Sequence, residues 1–576
     1  MDTPQYTKED VIGYDCRHVF YCPHPNGQDD IHLVKEYVHL KNRPPVINMR
    51  LLKNFQQPFW VTREGYRNHE EKKEWEALDR LQEYKSNRAK QLDTISRALY
   101  NRPLGKRGQL RDLARSPYLY GCDILSTCLI KHEYQTRWPD LIAPNASVAV
   151  FDVETDVVNG TDDVIIATLS FKDRVFTAIN QNYLKPGRNE EIIRQLADKH
   201  IGELIKKRGI KLEIVWCKDG AGCVEACIRK GHVYKPDFIE IWNIDFDIPK
   251  CVELLEKAGK DLADIFSDPI VPKAYKYFKY IQGPKQKVIQ DGTKRPLHPA
   301  DQWHRVECPA SFYFLDGMCV YKRLRIAKGM EASYGLDATL SRHGLEGKLS
   351  LPEVDHLKGL AWHKAMQREH PCFYVVYNIY DCVGVEELDE KIGDINSRFP
   401  VLCGVTDYAN FTKNPRRICD SLHFFLKDKY GLIIATTGDD GKTNSDSEDL
   451  VGMKGWIATL DATLVVDNGV PIFSDLRTIR SMIRRYLADL DIEGTYPTEE
   501  VVMNISKETT ALEVVRIQGM SEKAQRRIGI NMTGGVANAI ELCTEIYSLP
   551  SPDEWVDIWE EAHEPRTKKE RDEVTA

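Results

Sequence analysis

The segment SVAVFDVETDV (147–157) constrains this chain more than any other. Side chains alternate along a strand, so Ala149, Phe151 and Val153 share one face while Val148, Val150, Asp152 and Glu154 share the other. The first face demands an apolar layer to cover it. The second sets two carboxylates side by side among apolar neighbours, which is unfavourable in a partly buried site unless a cation neutralises them. Oxygen-rich clusters of this kind suit Mg²⁺ or Mn²⁺. Taken alone, the D-x-E pattern is also what a solvated strand end looks like.

Two more acidic segments follow. In DFIEIWNIDFDIPKCVELLEKAG, residues 238–242 read as a buried strand and Val252, Leu254 and Leu255 as part of a following helix, with Asn243 at the turn. Asp247, close to Pro249, reads either as a helix-start residue or as a metal ligand, and Asp245 is a rival ligand on the same loop. In CFYVVYNIYDCVGVEELDEKI, a helix is expected from about Tyr374, with Val376, Val383 and Leu388 inward. Tyr377 and Asp381 stand at i and i+4 and so project from one helix face, where a phenol and a carboxylate can act on one phosphate.

Composition places these segments in a folded, multidomain protein. The chain has 576 residues with 42% hydrophobic and 29% charged, too apolar for a disordered chain and without a repeat. No apolar run reaches the ~18 residues that a membrane helix needs, and the N-terminus lacks a secretory layout, so a soluble cytoplasmic protein without membrane partners is expected. The fifteen cysteines are scattered and expected to be reduced. Neither Cys217, Cys223, Cys227 and His232 nor Cys16, His18, Cys22 and His24 has zinc-knuckle spacing, so no zinc is expected. The net charge of −8 argues against wholesale polyanion binding, but residues 271–300 hold seven Lys or Arg against one Asp. Tyr275, Tyr277, Phe278 and Tyr280 are interleaved there, so bases could stack on the rings while lysines meet phosphates, or the stretch is simply a solvated loop. A second basic run, 101–115, is ambiguous in the same way. Residues 70–100 space Trp75, Leu78, Leu81, Leu92, Ile95 and Leu99 at near-helical intervals and predict an exposed amphipathic helix, with an interruption allowed. The polar segment 436–449 reads as a loop between structural units.

Taken in order, FDVET, WNIDFDIP and YNIYD resemble the three exonuclease motifs of family B DNA polymerases, and FYFLDGMCVYKRLR and SYGLDATLSRHGLEGKL extend the resemblance through about 148–392. LADLDIEGTYPTEEVVMNISKETT (487–510) resembles polymerase motif A of the T-even-type phage enzymes, with Gly494-Thr495 in place of the common Ser-Leu and with Glu499 and Glu500 where apolar residues are usual. The Lys-rich fingers helix ending in Asn-x-x-Tyr-Gly and the Asp-Thr-Asp hairpin have no counterpart among the 66 residues after Thr510. GDD at 438–440 precedes the motif A match and reads as an ordinary turn. The chain thus resembles the N-terminal part of such a polymerase.

The resemblance implies an α/β multidomain architecture. A mixed α+β N-terminal domain would span 1–145, an RNase H-like exonuclease domain with a central mixed sheet flanked by helices 146–395, and an incomplete polymerase palm with a charged tail 396–576. It implies that Asp152, Glu154, Asp247 and Asp381 hold two Mg²⁺ or Mn²⁺ ions, that Tyr377 orients the attacking water, and that the product is a deoxynucleoside monophosphate. Lys276, Lys279, Lys285 and Lys287 would meet DNA where the family carries a strand-parting hairpin. At the polymerase half-site Asp491 would bind Mg²⁺, with Thr495 and Tyr496 at the incoming nucleotide. The implied partners are primer-template DNA, dNTPs, a separate chain supplying motifs B and C, and a sliding clamp; the compartment is the cytoplasm, that of a host cell for a phage protein. A stand-alone repair exonuclease with a relic polymerase segment and a non-enzymatic replication scaffold are the competing expectations.

Overall fold

The computed structural model describes residues 6–70, 72–105, 108–288, 294–325, 329–347, 349–397 and 414–437, with short strands at 470–471, 478–479, 510–513 and 529–532. The chain divides into two compact units, 1–449 and 450–576. In the second, the described residues form two antiparallel pairs, 470–471 with 478–479 and 510–513 with 529–532. Asp491, Thr495 and Tyr496, the GDD at 438–440 and the charged tail lie outside the described residues.

The first unit opens with an antiparallel sheet of β1 (Val11–Pro23), β2 (Asp30–Leu40) and β3 (Arg43–Lys53), with β2 in the middle. β2 is buried on both faces although it carries His32, Lys35 and Glu36, so each of these needs a partner. His32 meets the Ser126 hydroxyl at 2.7 Å, Glu36 accepts from Asn48 at 2.7 Å, and Lys35 pairs with Asp237 at 2.8 Å.

A second small sheet joins β4 (Gln57–Thr62) to β6 (Leu81–Ser86), with β5 (Trp75–Ala77) before β6 in the chain and α1 (Gln91–Tyr100) after it; β7 (Leu119–Tyr120) completes the order β6-β4-β7, and α2 (Ser126–Arg137) follows. The helix expected over 70–100 is therefore confined to its last third. Trp75, Leu78 and Leu81 stand three apart because strand, 3₁₀ turn and strand succeed one another. Leu81 pairs with Thr62 across the ladder, and this distant pairing overrides the local spacing.

The larger core is a six-stranded mixed sheet. Its strands are β8 (Val148–Thr155), β9 (Val164–Phe171), β10 (Arg174–Asn180), β11 (Lys211–Cys217), β12 (Phe238–Ile241) and a last strand at Tyr313–Asp316, in the order β11-β10-β9-β8-β12-last. β8 is interior, antiparallel to β9 and parallel to β12. Helices cover both faces, as an α/β sheet requires. Ala149, Phe151 and Val153 are fully buried in one cluster with Val224 and Ile228 of α4 (Gly220–Tyr234) and Ile248 and Leu255 of α5 (Ile244–Lys257), α3 (Arg188–Arg208) having come earlier in the chain. On the opposite face, Ile166, Val175 and Ile179 pack with Ile193 and Ala197 of α3 and with Val376 and Val383 of the 371–392 helix. Asp152 and Glu154 share their face with Val150, so they look toward that helix.

Between α5 and the last core strand the chain makes two small antiparallel pairs. β13 (Lys279–Ile281) pairs with β16 (Arg305–Glu307), and β14 (Gln286–Val288) with β15 (Lys294–Pro296). The core ends with β17 (Tyr313–Asp316), α6 (Gly317–Arg325), α7 (Leu360–Glu369) and α8 (Pro371–Ile392); α9 (Asn414–Tyr430) and β18 (Leu432–Ile434) return the chain to β5. No helix among the described residues is long and apolar enough to cross a membrane.

Candidate metal centre

Three elements bring acids together. β8 delivers Asp152 and Glu154 on one face, and the ladder slips immediately after Glu154, a bulge of the kind that ends pairing beside functional sites. α8, starting at Pro371, lies over that face and turns Asp381 inward. One carboxylate oxygen from each of Asp152, Glu154 and Asp381 lies within 4.8 Å of the others. Three negative charges that close in partly buried surroundings call for a cation, and an all-oxygen donor set fits a hard divalent ion.

α5 carries a fourth acid, Asp247, which feels the charge of Glu154 but is not one of the three whose oxygens meet within 4.8 Å. The N-cap position is Asn243, and Asp247 sits one turn into the helix, 3% exposed, so capping does not account for it. Its Oδ1 has no hydrogen-bond partner among the described residues. Burial, opposed by the Val153 amide and reinforced by Glu154 and Asp316, raises its pKa well above the usual carboxylate range. A cation alongside would reverse that balance. Asp245 turns the other way: it accepts from the Tyr280 hydroxyl at 2.8 Å and from Gln282 at 3.2 Å, and lies 3.5 Å from Lys285. The rival ligand thus serves the hairpin side.

α8 also contributes side chains that the sequence reading passed over. Asn378, fully buried, donates to Asp152 Oδ2 at 2.6 Å, and the Tyr374 hydroxyl donates to Glu154 Oε2. Tyr374 and Asn378 are again i and i+4, a stripe beside that of Tyr377 and Asp381, and this spacing is the signal that could have found them. The rings of Tyr374 and Tyr377 stack with centroids 5.5 Å apart and planes 6° from parallel. Burial first, then the charges of Asp381, Glu154 and Asp152, raise Tyr377 well above its ordinary pKa. It therefore stays a phenol and offers a hydrogen bond rather than a base.

The basic stretch is bound more tightly into the fold than a stacking platform would be. Tyr277 donates to the Tyr21 carbonyl at 3.2 Å, Tyr275 meets His24 edge-on, and Phe278 packs on Phe266 at 4.4 Å. Lys276 is committed to Asp264 at 2.7 Å. Lys279, Lys285 and Lys287 are exposed. The residues weighed against zinc also serve the core: Cys227 donates to the Ala167 carbonyl at 3.3 Å, and His232 contacts the Ile265 carbonyl at 3.0 Å.

A second acidic cluster lies beneath the centre. Glu240, Trp242, Gly317, Tyr321, Asp389 and Asp394 line a space of about 20 Å³, room for about one water. A Cβ at Gly317 would fall 2.3 Å from Glu240 Oε1, so only glycine leaves the carboxyl its place. Asp394 is held by Arg325, while Glu240 Oε2 is buried without a partner among the described residues. Burial, then Asp389 and Asp394, raise Glu240 well above its ordinary pKa, and burial pushes Asp389 up to about 6. A carboxyl that holds its proton more tightly when folded stabilises the fold fully below its unfolded pKa of about 4 and loses that contribution as pH rises through its folded value. Glu240→Gln is therefore expected to raise the melting temperature at pH 8 by a few degrees and to change it little at pH 5. An equal shift at both pH values would count against buried charge as the cause.

No protein-family model matches the chain, and no curated protein matches it.

Proposed function

We propose that this chain is a metal-dependent 3′–5′ exonuclease of the family B DNA polymerase type, which removes deoxynucleoside monophosphates from DNA 3′ ends as the proofreading part of a replicative polymerase. The observation that carries the reading is the meeting of Asp152, Glu154 and Asp381 within 4.8 Å from segments more than two hundred residues apart. Asp152, Glu154 and Asp381 would hold one Mg²⁺ or Mn²⁺, with Asp152 also reaching a second that Asp247 supports. Divalent cations there supply positive charge for the departing 3′ oxygen and lower the pKa of water. The chain's own residues do the rest. Asn378 donates to Asp152 Oδ2 and the Tyr374 hydroxyl to Glu154 Oε2, and these bonds hold the two β8 carboxylates in orientation. The protonated Tyr377 hydroxyl orients the attacking water by hydrogen bonding.

The polymerase half of the proposal rests on the motif A resemblance at Asp491, Thr495 and Tyr496. Synthesis on primed DNA with dNTPs and Mg²⁺ would require a second chain bearing the fingers and the remaining palm carboxylate, with a sliding clamp as a further partner. No synthesis with any such chain would favour the repair exonuclease.

The direct test is release of label from a 3′-labelled oligonucleotide by the full chain with Mg²⁺ or Mn²⁺, with the Asp152→Ala, Glu154→Ala double variant as control. An intact label with both metals rejects the nuclease. A double variant as fast as the parent rejects the residue assignment instead.

The exposed lysines carry a separate expectation. Lys279, Lys285 and Lys287 stand on or beside the small pairs, Lys285 within 3.5 Å of Asp245, and on this reading they would meet phosphates of a bound strand. Lys285→Glu with Lys287→Glu is expected to weaken single-stranded DNA binding and to reduce the slope of log K against log salt by about one for each lost phosphate contact. An unchanged slope would remove these lysines from the DNA path.

A further inference from the structure

Tyr374 and His363 form a chain of hydrogen bonds behind Glu154. The Tyr374 hydroxyl donates to Glu154 Oε2, and His363 Nδ1 lies 2.7 Å from the same hydroxyl oxygen. A phenol has one proton, and here it is donated in the hydrogen bond to the carboxylate, so the His363 Nδ1 that meets the same oxygen bears a proton and donates to Tyr374. Histidine thereby fixes the rotor of the hydroxyl, and the hydroxyl fixes the carboxylate. The ring of His363 contacts Tyr374 edge-on at 5.9 Å, and the adjacent Trp362 lies 5.0 Å from Tyr377. Both belong to α7, which follows Gly359 at φ +56°, a left-handed conformation open to glycine.

We infer that the His363–Tyr374 pair is a positioning device that holds Glu154 in the orientation needed to ligate a divalent cation, so that α7 tunes metal affinity without touching DNA. This rests on the nuclease reading for its consequence in activity, but its primary readout does not. Carboxylate ligands are themselves held by hydrogen bonds, and removing such a partner typically costs about 10–100-fold in metal affinity or activity. Asn378 performs the corresponding service for Asp152 from within α8. The Glu154 support differs in coming through a second helix and a half-buried histidine at the surface.

The test is Mn²⁺ binding to the full chain without DNA, followed by electron paramagnetic resonance of the free ion. Tyr374→Phe keeps the ring stack on Tyr377 and removes only the hydroxyl; it is expected to weaken Mn²⁺ by about tenfold or more. His363→Ala is expected to do the same. His363→Asn places an amide donor near the position of Nδ1 and is expected to recover affinity to within about threefold of the parent, a rescue that loss of packing alone would not give. In the hydrolysis assay kcat should fall while KM for the oligonucleotide stays put. Should His363→Ala fail to fold, Tyr374→Phe decides the matter. Tyr374→Phe binding Mn²⁺ as tightly as the parent overturns the inference, as does a parent that binds no Mn²⁺. A parent that binds Mn²⁺ yet leaves 3′ ends intact overturns the nuclease reading alone, and the affinity series still decides the positioning role.

Discussion

Replacing Asp381 by Asn is expected to lower hydrolysis of DNA 3′ ends by on the order of a thousandfold, about 4 kcal/mol of barrier, and at the same time to raise the melting temperature measured in a chelator. The two signs have one origin. Three carboxylate oxygens crowd within 4.8 Å, which repels the ions from one another in the absence of a cation and is what a cation requires. Asparagine keeps the shape and the polar atoms but removes one charge, so the metal-free fold gains about 1 kcal/mol, or a few degrees. Added Mn²⁺ should then stabilise the parent more than the variant. Thermal scans with and without Mn²⁺, beside the labelled-oligonucleotide assay, check both halves. A variant that loses activity and stability together would mean that Asp381 is a structural residue.

Asp237→Ala should cost about 3–5 kcal/mol of folding stability, as expected when one member of a buried charge network is removed. The Asp237 carboxylate is fully buried, pairs with Lys35 at 2.8 Å and Arg17 at 3.8 Å, and accepts from the Tyr37 hydroxyl at 3.0 Å and the Ser147 amide at 2.8 Å. Burial opposes its ionisation, yet Lys35 and Arg17 outweigh burial and hold its pKa below the usual range. Taking it away leaves two cations in the interior. Because its folded pKa is depressed, the contribution is present above about pH 4 and lost as pH falls through the folded value. The parent's advantage over the variant should therefore shrink in acid. Urea titrations at pH 7 and pH 3 measure it, and a loss under about 1 kcal/mol at pH 7 would contradict the account.

Periodicity revealed most where an element satisfies its own pattern. β8 alternates cleanly, and its apolar face is buried as the residues require. α5 also follows its helical spacing, whereas α8 is buried on every side from Cys372 to Glu386 and shows no apolar stripe. The stretch 75–86 misled because side chains three apart suit a strand, a tight turn and another strand as well as a helix, and only the distant partner β4 decides between them. Tyr275, Tyr277 and Phe278 looked available for bases because nothing local reveals that the N-terminal sheet and Phe266 cover them. Spacing leaves Asp247 open to helix capping and to metal binding alike, and its burial one turn inside α5 removes only the capping account. Tyr374 and Asn378 sat in a correctly expected helix, but their tasks depend on which face of which strand that helix covers, a fact of topology rather than of spacing.

Asp237 stands directly before β12, and β12 runs through Asn243 into the helix that presents Asp247. Phe238, the first residue of β12, shares its cluster with Phe20, Ile31 and Leu33 of the N-terminal sheet. A fragment engineered to begin at residue 146 would thus expose the root of the very strand that aims the fourth acid. Anyone trimming this molecule to the six-stranded sheet and its helices should keep β1 and β2, or redesign Asp237 and Phe238 for contact with water.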